Sequence, residues 1–596
     1  MTGQARPKEY LISALAILPP TLVGLLILKY GVDFIDWDHW EVAGFFEKAA
    51  HGSLSPADLF VQQAEYRQFF PNLIFISLGL LTHWNIKYEM LVSLLLACLI
   101  AFNVYRLSQI TVRGSRSGLL ILALVSNLLI FSPAQFENWL LGEQIIYFIP
   151  VVCLTTCLRV AHSRTKPLTK LILCMLLATI STFSSANGIV CWLVVPPVLI
   201  FTYETQVKKL YYCIAWAIGL ALNFAGYLYG YHQPSYSPSL FAALHHPLRG
   251  LLFFLTLLGA PLATSQRLMP AATMIGAALA ALFTASWVYL FKFANNLELR
   301  RRAMVWLMLG SYSILTVIVV TIARFGMGMR QALFSRYTTF SIYLLIALCY
   351  LVPLILEDLT RAGRFAQNKL SIGRLIRFAL AALLLLNLLN SAAALRQAVW
   401  LKMRRLQAKA CLLFIDSVPD ECLTNSKELP DVNMVRERVN AINDLGFLRP
   451  GLIKSNRIAD IANAGIGDAN SYGRFELAKT GDSVLFATGW ASLPGGGQPA
   501  DIVLLSYEKD QAAPVIFASA EMRFEQPSFS ASLLKAQSSD WRWQKSFPLN
   551  RVPAAPPVSL SAWAFDATTG KAYKINGSYV IENESGDVHF RDTGTH

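Results

Sequence analysis

Charged side chains are scarce in this sequence of 596 residues. They make up 15% of it, whereas 55% of the residues are hydrophobic. A soluble globular protein carries about 25% charge and fewer apolar residues, so the composition argues against that class. The mean hydropathy is +0.45, and several apolar runs approach the roughly 20 residues that a helix needs to cross a bilayer. The composition therefore predicts a polytopic α-helical membrane protein.

Familiar catalytic motifs are also missing. The sequence has no Walker phosphate loop, no GxSxG nucleophile motif and no HExxH zinc motif, so ATP use and zinc hydrolysis have no support. The net charge of +14 would suggest nucleic acid in a soluble protein. Here the basic residues lie in short loops between apolar runs, as the positive-inside rule describes. We expect the lipid bilayer as a partner and no nucleic acid.

Eleven apolar segments are candidate spans. The five basic loops between them are expected to face the cytoplasm, which gives about eleven helices, a cytoplasmic N-terminus and an extracytoplasmic C-terminal domain in the inner (cytoplasmic) cell membrane. Two further apolar stretches, 71–84 and 251–268, do not fit this alternation and are interpreted as interfacial helices; if either spans, the count changes. The predicted spans are 10–30, 89–106, 118–132, 146–161, 171–184, 189–203, 210–230, 270–291, 303–323, 339–355 and 374–393.

The chain changes character after the last predicted span. Residues 1–393 form the predicted transmembrane domain, with an external first loop and interfacial helices at 31–88. Residues 394–473 read as a helical connector, and 474–596 alternate as the strands of an extracytoplasmic β-sandwich do. Of nine cysteines, Cys411 and Cys422 lie outside the predicted membrane spans, and we expect a disulfide between them in an oxidising compartment.

The stretch DFIDWDHWE (33–41) places four carboxylates and a histidine directly after the first span. A solvated acidic loop is the simplest interpretation, because external loops are depleted of basic residues. The order of parts nevertheless resembles the GT-C superfamily of membrane glycosyltransferases: a first helix, a long external loop that starts with an acidic motif, and an interfacial helix with a proline, here Pro71, near its start. This resemblance covers about the first 390 residues as architecture.

The resemblance implies an inverting transfer of a sugar from a polyprenyl-phosphate donor to an extracytoplasmic glycan or lipid acceptor. An aspartate of the first external loop then acts as the base on the acceptor hydroxyl, and Asp36 or Asp38 is the expected residue. The two carboxylates could instead hold a divalent cation, Mg²⁺ or Mn²⁺, together; His39 is an alternative base. Two motifs of better-defined branches are absent: Phe70-Pro71-Asn72 replaces His-Pro-Pro or Lys-Pro-Pro, and no WWD-type motif is found. The sugar and the acceptor therefore cannot be carried over.

A lipid-linked phosphate needs cationic partners. The predicted external loop ARFGMGMRQALFSRYTTF carries Arg324, Arg330 and Arg336, against the charge bias of external loops. These arginines either anchor helix ends at lipid headgroups or bind the donor phosphate. For the second role Arg336 with Tyr337 is the first choice, and Arg67 follows.

Polar residues in other predicted external turns are candidates for sugar or acceptor contacts, because amides and carboxylates suit hydroxyl groups; the alternative is plain helix-connecting loops. They are Glu65, Glu137, Asn138, Gln144 and Asn187. A transporter or flippase of lipid-linked glycans would carry polar groups midway through its helices, and a glycan polymerase or ligase would carry arginines in its largest external loop. Both remain alternatives, as does a noncatalytic scaffold for the external sandwich.

Overall fold

The computed structural model describes residues 7–200, 206–235, 237–294, 296–361, 369–417, 421–426, 428–463, 472–480, 484–495, 497–510, 512–523, 541–553, 556–584 and 587–592. The chain divides into two compact units. The first comprises Met1–Gly31 and Leu54–Ala398, and the second comprises Val32–Ser53 and Val399–His596. The acidic stretch after the first helix therefore belongs to the same unit as the C-terminal domain. The predicted domain bounds stay a prediction.

The first unit is helical. Its helices are α1 Pro7–Tyr30, α3 Pro56–Leu59, α4 Phe69–Thr82, α5 Ile86–Thr111, α6 Arg116–Ile130, α7 Phe136–Leu140, α8 Ile145–Ala161, α9 Pro167–Thr182, α10 Val190–Val194, α11 Pro196–Ile200, α12 Gln206–Leu228, α13 Ala242–His245, α14 Pro247–Gly259, α15 Met269–Val288, α16 Leu297–Arg324, α17 Ser335–Arg361 and most of α18 Lys369–Leu413. The second unit holds α2 Trp40–Ala50, α19 Glu421–Asn425 and α20 Val432–Asp444.

Nine helical segments of the described chain are long and apolar enough to cross a membrane. They support the predicted class of a mostly helical, multi-pass membrane protein; the count of eleven spans stays a prediction. Two predicted spans, 171–184 and 189–203, correspond to the shorter apolar helices Pro167–Thr182 and Ala186–Ile200; residues 201–203 lie outside the described part. The predicted interfacial segments fall on two other short apolar helices, Phe69–Thr82 and Pro247–Leu262.

Small residues allow α14 and α15 to pack with their backbones in contact. A Cβ built on Gly259 would lie 1.9 Å from the carbonyl oxygen of Ala272, and one on Gly276 would lie 1.8 Å from that of Leu255. Only glycine leaves room for such an approach, which is a common way for helices to associate in a membrane.

The second unit contains an eight-stranded sheet that is nearly closed. The strands are β3 Gly473–Thr480, β4 Val484–Ala491, β5 Ile502–Glu508, β6 Val515–Glu521, β7 Arg542–Pro548, β8 Val558–Asp566, β9 Lys571–Glu584 and β10 Asp587–Asp592. Their order in the sheet is β6-β5-β8-β9-β3-β4-β7, with β10 also paired to β9, and the outer strands β6 and β7 meet at a bridge between Met522 and Trp543. Neighbouring strands are antiparallel except β3 and β9, which meet in parallel at Arg474 and Asn576.

The interior of this sheet is apolar, as the alternating sequence predicts. Trp543 is fully buried in its core, and Trp541 packs against that core. A disulfide joins Cys411, at the end of α18, to Cys422 in α19, with the two Cα atoms 5.6 Å apart. That separation is typical of disulfides.

Candidate functional site

The candidate site of the first unit includes a short hairpin. Its strands are β1 Gln62–Gln63 and β2 Tyr66–Arg67, and the turn residue Ala64 has a φ of +48°, a strained conformation for a residue other than glycine. Arg67 is buried and donates hydrogen bonds to the carbonyl oxygens of Phe60, Tyr227 and Tyr229. Arg67 was predicted to bind a donor phosphate; in the structure its guanidinium connects the hairpin to the end of α12.

The hairpin presents Glu65 to Arg324, the last residue of α16. Two parallel hydrogen bonds of 2.8 and 3.0 Å join the guanidinium to the carboxylate, and the Ser237 hydroxyl donates a third to the same carboxylate at 2.7 Å. Burial on its own would raise the pKa of Glu65, but the hydrogen bonds and charge of Arg324, together with Ser237, bring it below its usual value. Glu65 is therefore a carboxylate at neutral pH, held by protein groups.

Tyr66 and Arg336 extend this arrangement. Arg324 also donates to the Tyr66 hydroxyl at 3.2 Å. Burial, with smaller effects of Tyr337 and Glu65 and against that of Arg324, raises the pKa of Tyr66 to about 12, so its hydroxyl keeps its proton. The Arg336 guanidinium lies over the rings of Tyr337 and Phe334, at 5.5 and 5.2 Å from their centroids.

Arg336 differs from Arg324 in the hydrogen bonding of its guanidinium group. Its Nε is buried and has no hydrogen-bond partner among the described residues. Its charge interacts with Tyr66, Tyr147 and Tyr337, and the charge of Arg324 reaches the same three tyrosines. We call Tyr66, Tyr147, Arg324, Arg336 and Tyr337 the tyrosine–arginine cluster. Guanidinium groups and tyrosine hydroxyls both donate hydrogen bonds that phosphate oxygens can accept.

Two residues that were predicted to contact the sugar, Glu137 and Asn138, bind the protein chain next to the cluster. The Glu137 carboxylate accepts hydrogen bonds from the Ser335 hydroxyl at 2.6 Å and from the Arg336 backbone N–H at 3.0 Å, which satisfies the first turn of α17. The Asn138 amide donates to the Arg336 carbonyl oxygen at 2.9 Å. Both side chains therefore fix the backbone that carries Arg336.

The other predicted contacts of the first unit are dispersed. The Asn187 amide donates to the Tyr312 hydroxyl at 2.9 Å, and Arg330 is exposed. Gln144 is buried, and its Oε1 has no hydrogen-bond partner in the described chain.

In the second unit, the acidic stretch has a buried and an exposed half. Asp36 is 4% exposed, and its Oδ1 lies 3.4 Å from Nη2 of Arg405, which also donates to the Phe34 carbonyl oxygen at 2.9 Å. Burial raises the pKa of Asp36, with Arg405 opposing the change. Arg405 was not among the predicted site residues, because nothing in the connector distinguishes it from neighbouring basic residues.

The exposed half begins one residue later. Trp37 and Asp38 are exposed, and Trp37 has a φ of +40°, which is strained for a bulky side chain. Burial raises the pKa of Glu41 to about 7, with Asp38 adding to the effect and Arg438 opposing it. Buried His39 is held neutral, because burial and then Arg405 lower its pKa to about 3.

The predicted cation site has no further support here. Within the described residues, no group of three or more histidine, cysteine, aspartate or glutamate side chains is arranged to hold a metal ion. Asp36 and Asp38 differ in surroundings, one buried beside Arg405 and the other exposed. A cation shared by these two residues stays a prediction.

Comparisons of the chain with protein-family models, with curated proteins and with solved structures gave no match. The helices and the C-terminal sheet define the class, a multi-pass helical membrane protein with a β-rich C-terminal domain. The resemblance to GT-C glycosyltransferases stays a prediction.

Proposed function

We propose that this chain is a membrane glycosyltransferase of the GT-C type, which moves a sugar from a polyprenyl-phosphate donor to an extracytoplasmic glycan or lipid acceptor. The observation that carries the proposal is the tyrosine–arginine cluster, in which Arg336 keeps a buried Nε without a hydrogen-bond partner in the described chain. Buried donors are normally satisfied, so an incoming acceptor atom is the simplest explanation for this one.

The cluster suits the departing phosphate of such a reaction. As the bond between sugar and phosphate breaks, negative charge grows on the phosphate oxygens, and fixed cationic donors stabilise that charge. Arg336 would contact the phosphate directly, with the Tyr66 and Tyr337 hydroxyls as further donors. Arg324 would contribute mainly charge, because Glu65 already occupies two of its donors.

The acidic stretch would supply the base. Asp38 is the better candidate, because it is exposed. Asp36 is buried against Arg405 and would act by fixing the segment that carries Asp38. A carboxylate contributes to such a step by accepting the proton of the attacking hydroxyl.

Binding of the donor phosphate can be measured on the purified full-length protein. A polyprenyl phosphate is compared with the matching polyprenol, on the wild type and on the variants Arg336→Gln and Arg267→Gln. Arg267 is exposed and serves as the control. We expect the phosphate to bind, the alcohol to bind far more weakly, and Arg336→Gln to lose about tenfold in affinity, the equivalent of one charged hydrogen bond. Equal binding of phosphate and alcohol would overturn the proposal.

The transfer step needs a separate assay. Asp38→Asn and Asp36→Asn are each tested for sugar transfer from lipid-linked donors in vesicles. We expect Asp38→Asn to lose at least about a hundredfold in rate, as when a general base is removed. Full activity in both variants would remove the proposed base, and phosphate binding without any transfer would favour the transporter alternative.

A further inference from the structure

A polar cavity of the first unit lies apart from the tyrosine–arginine cluster. Its volume is about 260 Å³, and it opens between the ends of helices: Thr111 ends α5, Ala161 ends α8 and Lys170 lies in the first turn of α9. Arg301 and Arg302, near the start of α16, complete its basic wall. None of these residues has a part in the proposed transfer reaction.

The charge of this cavity has one sign. Its wall contains Lys170, Arg301 and Arg302 and no carboxylate. Arg302 forms an ion pair with Glu357, which is not part of this wall and whose Oε2 lies 3.5 Å from Nη2 of the arginine. His162, also in the wall, adds no charge at neutral pH, because burial lowers its pKa and Lys170 and Arg301 lower it further, against a hydrogen bond to the Leu158 carbonyl oxygen. The lining therefore carries three cationic side chains, and Glu357 offsets part of the charge of one of them, Arg302.

Two observations indicate that a ligand completes the site. Nη2 of Arg302 is buried and makes no hydrogen bond in the described chain, its ion pair with Glu357 being long at 3.5 Å, whereas Nε of the same side chain donates to the Thr111 carbonyl oxygen. The cavity also has an apolar side, formed by Ile110, Val198 and Met304. Cationic donors beside apolar side chains suit an amphiphilic ligand. Its phosphate would contact the cations at the helix ends, and its apolar part would contact the apolar side chains.

We propose that this cavity binds a phosphate group, either the headgroup phosphate of an anionic membrane lipid or free phosphate. Basic pockets between helix ends recognise anionic headgroups through the charge of lysine and arginine, each of which contributes about 1 kcal/mol near a membrane surface, or about fivefold in affinity. A bound phosphate would accept hydrogen bonds from Arg302 and screen the repulsion among the three cations. It would thereby stabilise the junction of α5, α8, α9 and α16. The inference does not depend on the proposed transferase activity.

The test uses the full-length protein in detergent. Native mass spectrometry counts bound phosphatidylglycerol and phosphatidylcholine, and calorimetry measures inorganic phosphate. The variants are Arg301→Gln, which alters an exposed residue, and Lys170→Gln, which keeps a donor for the Ala161 carbonyl oxygen that Lys170 now contacts at 2.8 Å. Arg116→Gln is the control, because Arg116 is exposed and lies outside the cavity lining.

If the inference is correct, each cavity variant binds phosphatidylglycerol about fivefold more weakly than the wild type does, whereas Arg116→Gln binds it equally well. Phosphatidylcholine then binds more weakly than phosphatidylglycerol. Inorganic phosphate that binds and competes with the lipid identifies the phosphate alone as the ligand, and absence of competition identifies the lipid. Phosphatidylglycerol binding that is unchanged in both cavity variants, or equal to phosphatidylcholine binding, would overturn the inference.

Discussion

The ion pair between Glu65 and Arg324 makes a quantitative prediction about the stability of the first unit. The two side chains are 16% and 14% exposed, and two short hydrogen bonds join them. Opposite charges about 4 Å apart attract by about 4 kcal/mol at an effective dielectric constant of 20. Desolvation offsets part of this attraction, so we expect a coupling free energy of about 2 kcal/mol.

The measurement is a double-mutant cycle with Glu65→Gln, Arg324→Gln and the double variant, unfolded in detergent. Each single variant should lose about 3 kcal/mol, because it leaves one partner charged and poorly solvated. The double variant should lose less than the sum of the two by the coupling free energy.

The pair between Arg113 and Glu298 is the matched control, because both side chains are more than half exposed, at 54% and 59%. Its coupling should stay below about 1 kcal/mol. Equal coupling in the two pairs would refute the reasoning. A pH series gives a second check on Glu65: because its pKa is lowered in the fold, its contribution is present above its usual pKa of about 4.3 and disappears as the pH falls through the lowered value. Glu65→Gln should remove that loss.

Three further variants test other parts of the fold. Gly276→Ala should destabilise the first unit by at least about 2 kcal/mol, since its Cβ would lie 1.8 Å from the Leu255 carbonyl oxygen; Gly114→Ala, where nothing lies within 4 Å, should be neutral in the same thermal unfolding assay. Cys422→Ser should lower the free energy of unfolding of the second unit by about 2–3 kcal/mol, because the disulfide closes a short loop, and equal stability of oxidised and reduced wild type would contradict this. Glu41→Gln should gain about 2 kcal/mol over the wild type between pH 5 and pH 8, because a carboxyl with a pKa of about 7 destabilises the fold as it ionises; a pH-independent difference would show that Glu41 is not responsible.

The class of the fold could be predicted from composition, because apolar runs of about 20 residues are typical of helices that cross a membrane. The number of spans was harder to predict. The run at 189–203 is continuous in hydropathy, yet the helix changes at Val195, where Pro196 and Pro197 follow; proline removes a backbone donor and disfavours continuation of the helix before it. The length of an apolar run therefore does not give the length of the helix that it forms.

The candidate site shows a similar limit. Arg324 and Glu65 were both singled out, but as phosphate and sugar contacts, because their pairing joins positions that only the fold brings together. Arg67 was expected to bind a ligand, but its guanidinium already donates hydrogen bonds to three backbone carbonyl oxygens. Charge and aromatic content indicate which segments carry polar chemistry; they do not tell which polar groups are already satisfied by distant backbone.

The three partners of β9 have a consequence for biosynthesis. This strand pairs with β8 and β10 and meets β3, and its contact between Asn576 and Arg474 joins positions about a hundred residues apart. As the ribosome adds residues in order, β3 to β8 emerge before the strand that links them. Until residues 571–584 leave the exit tunnel, β3 and β8 have unpaired edges, so the nascent domain depends on protection from association with other chains during that interval.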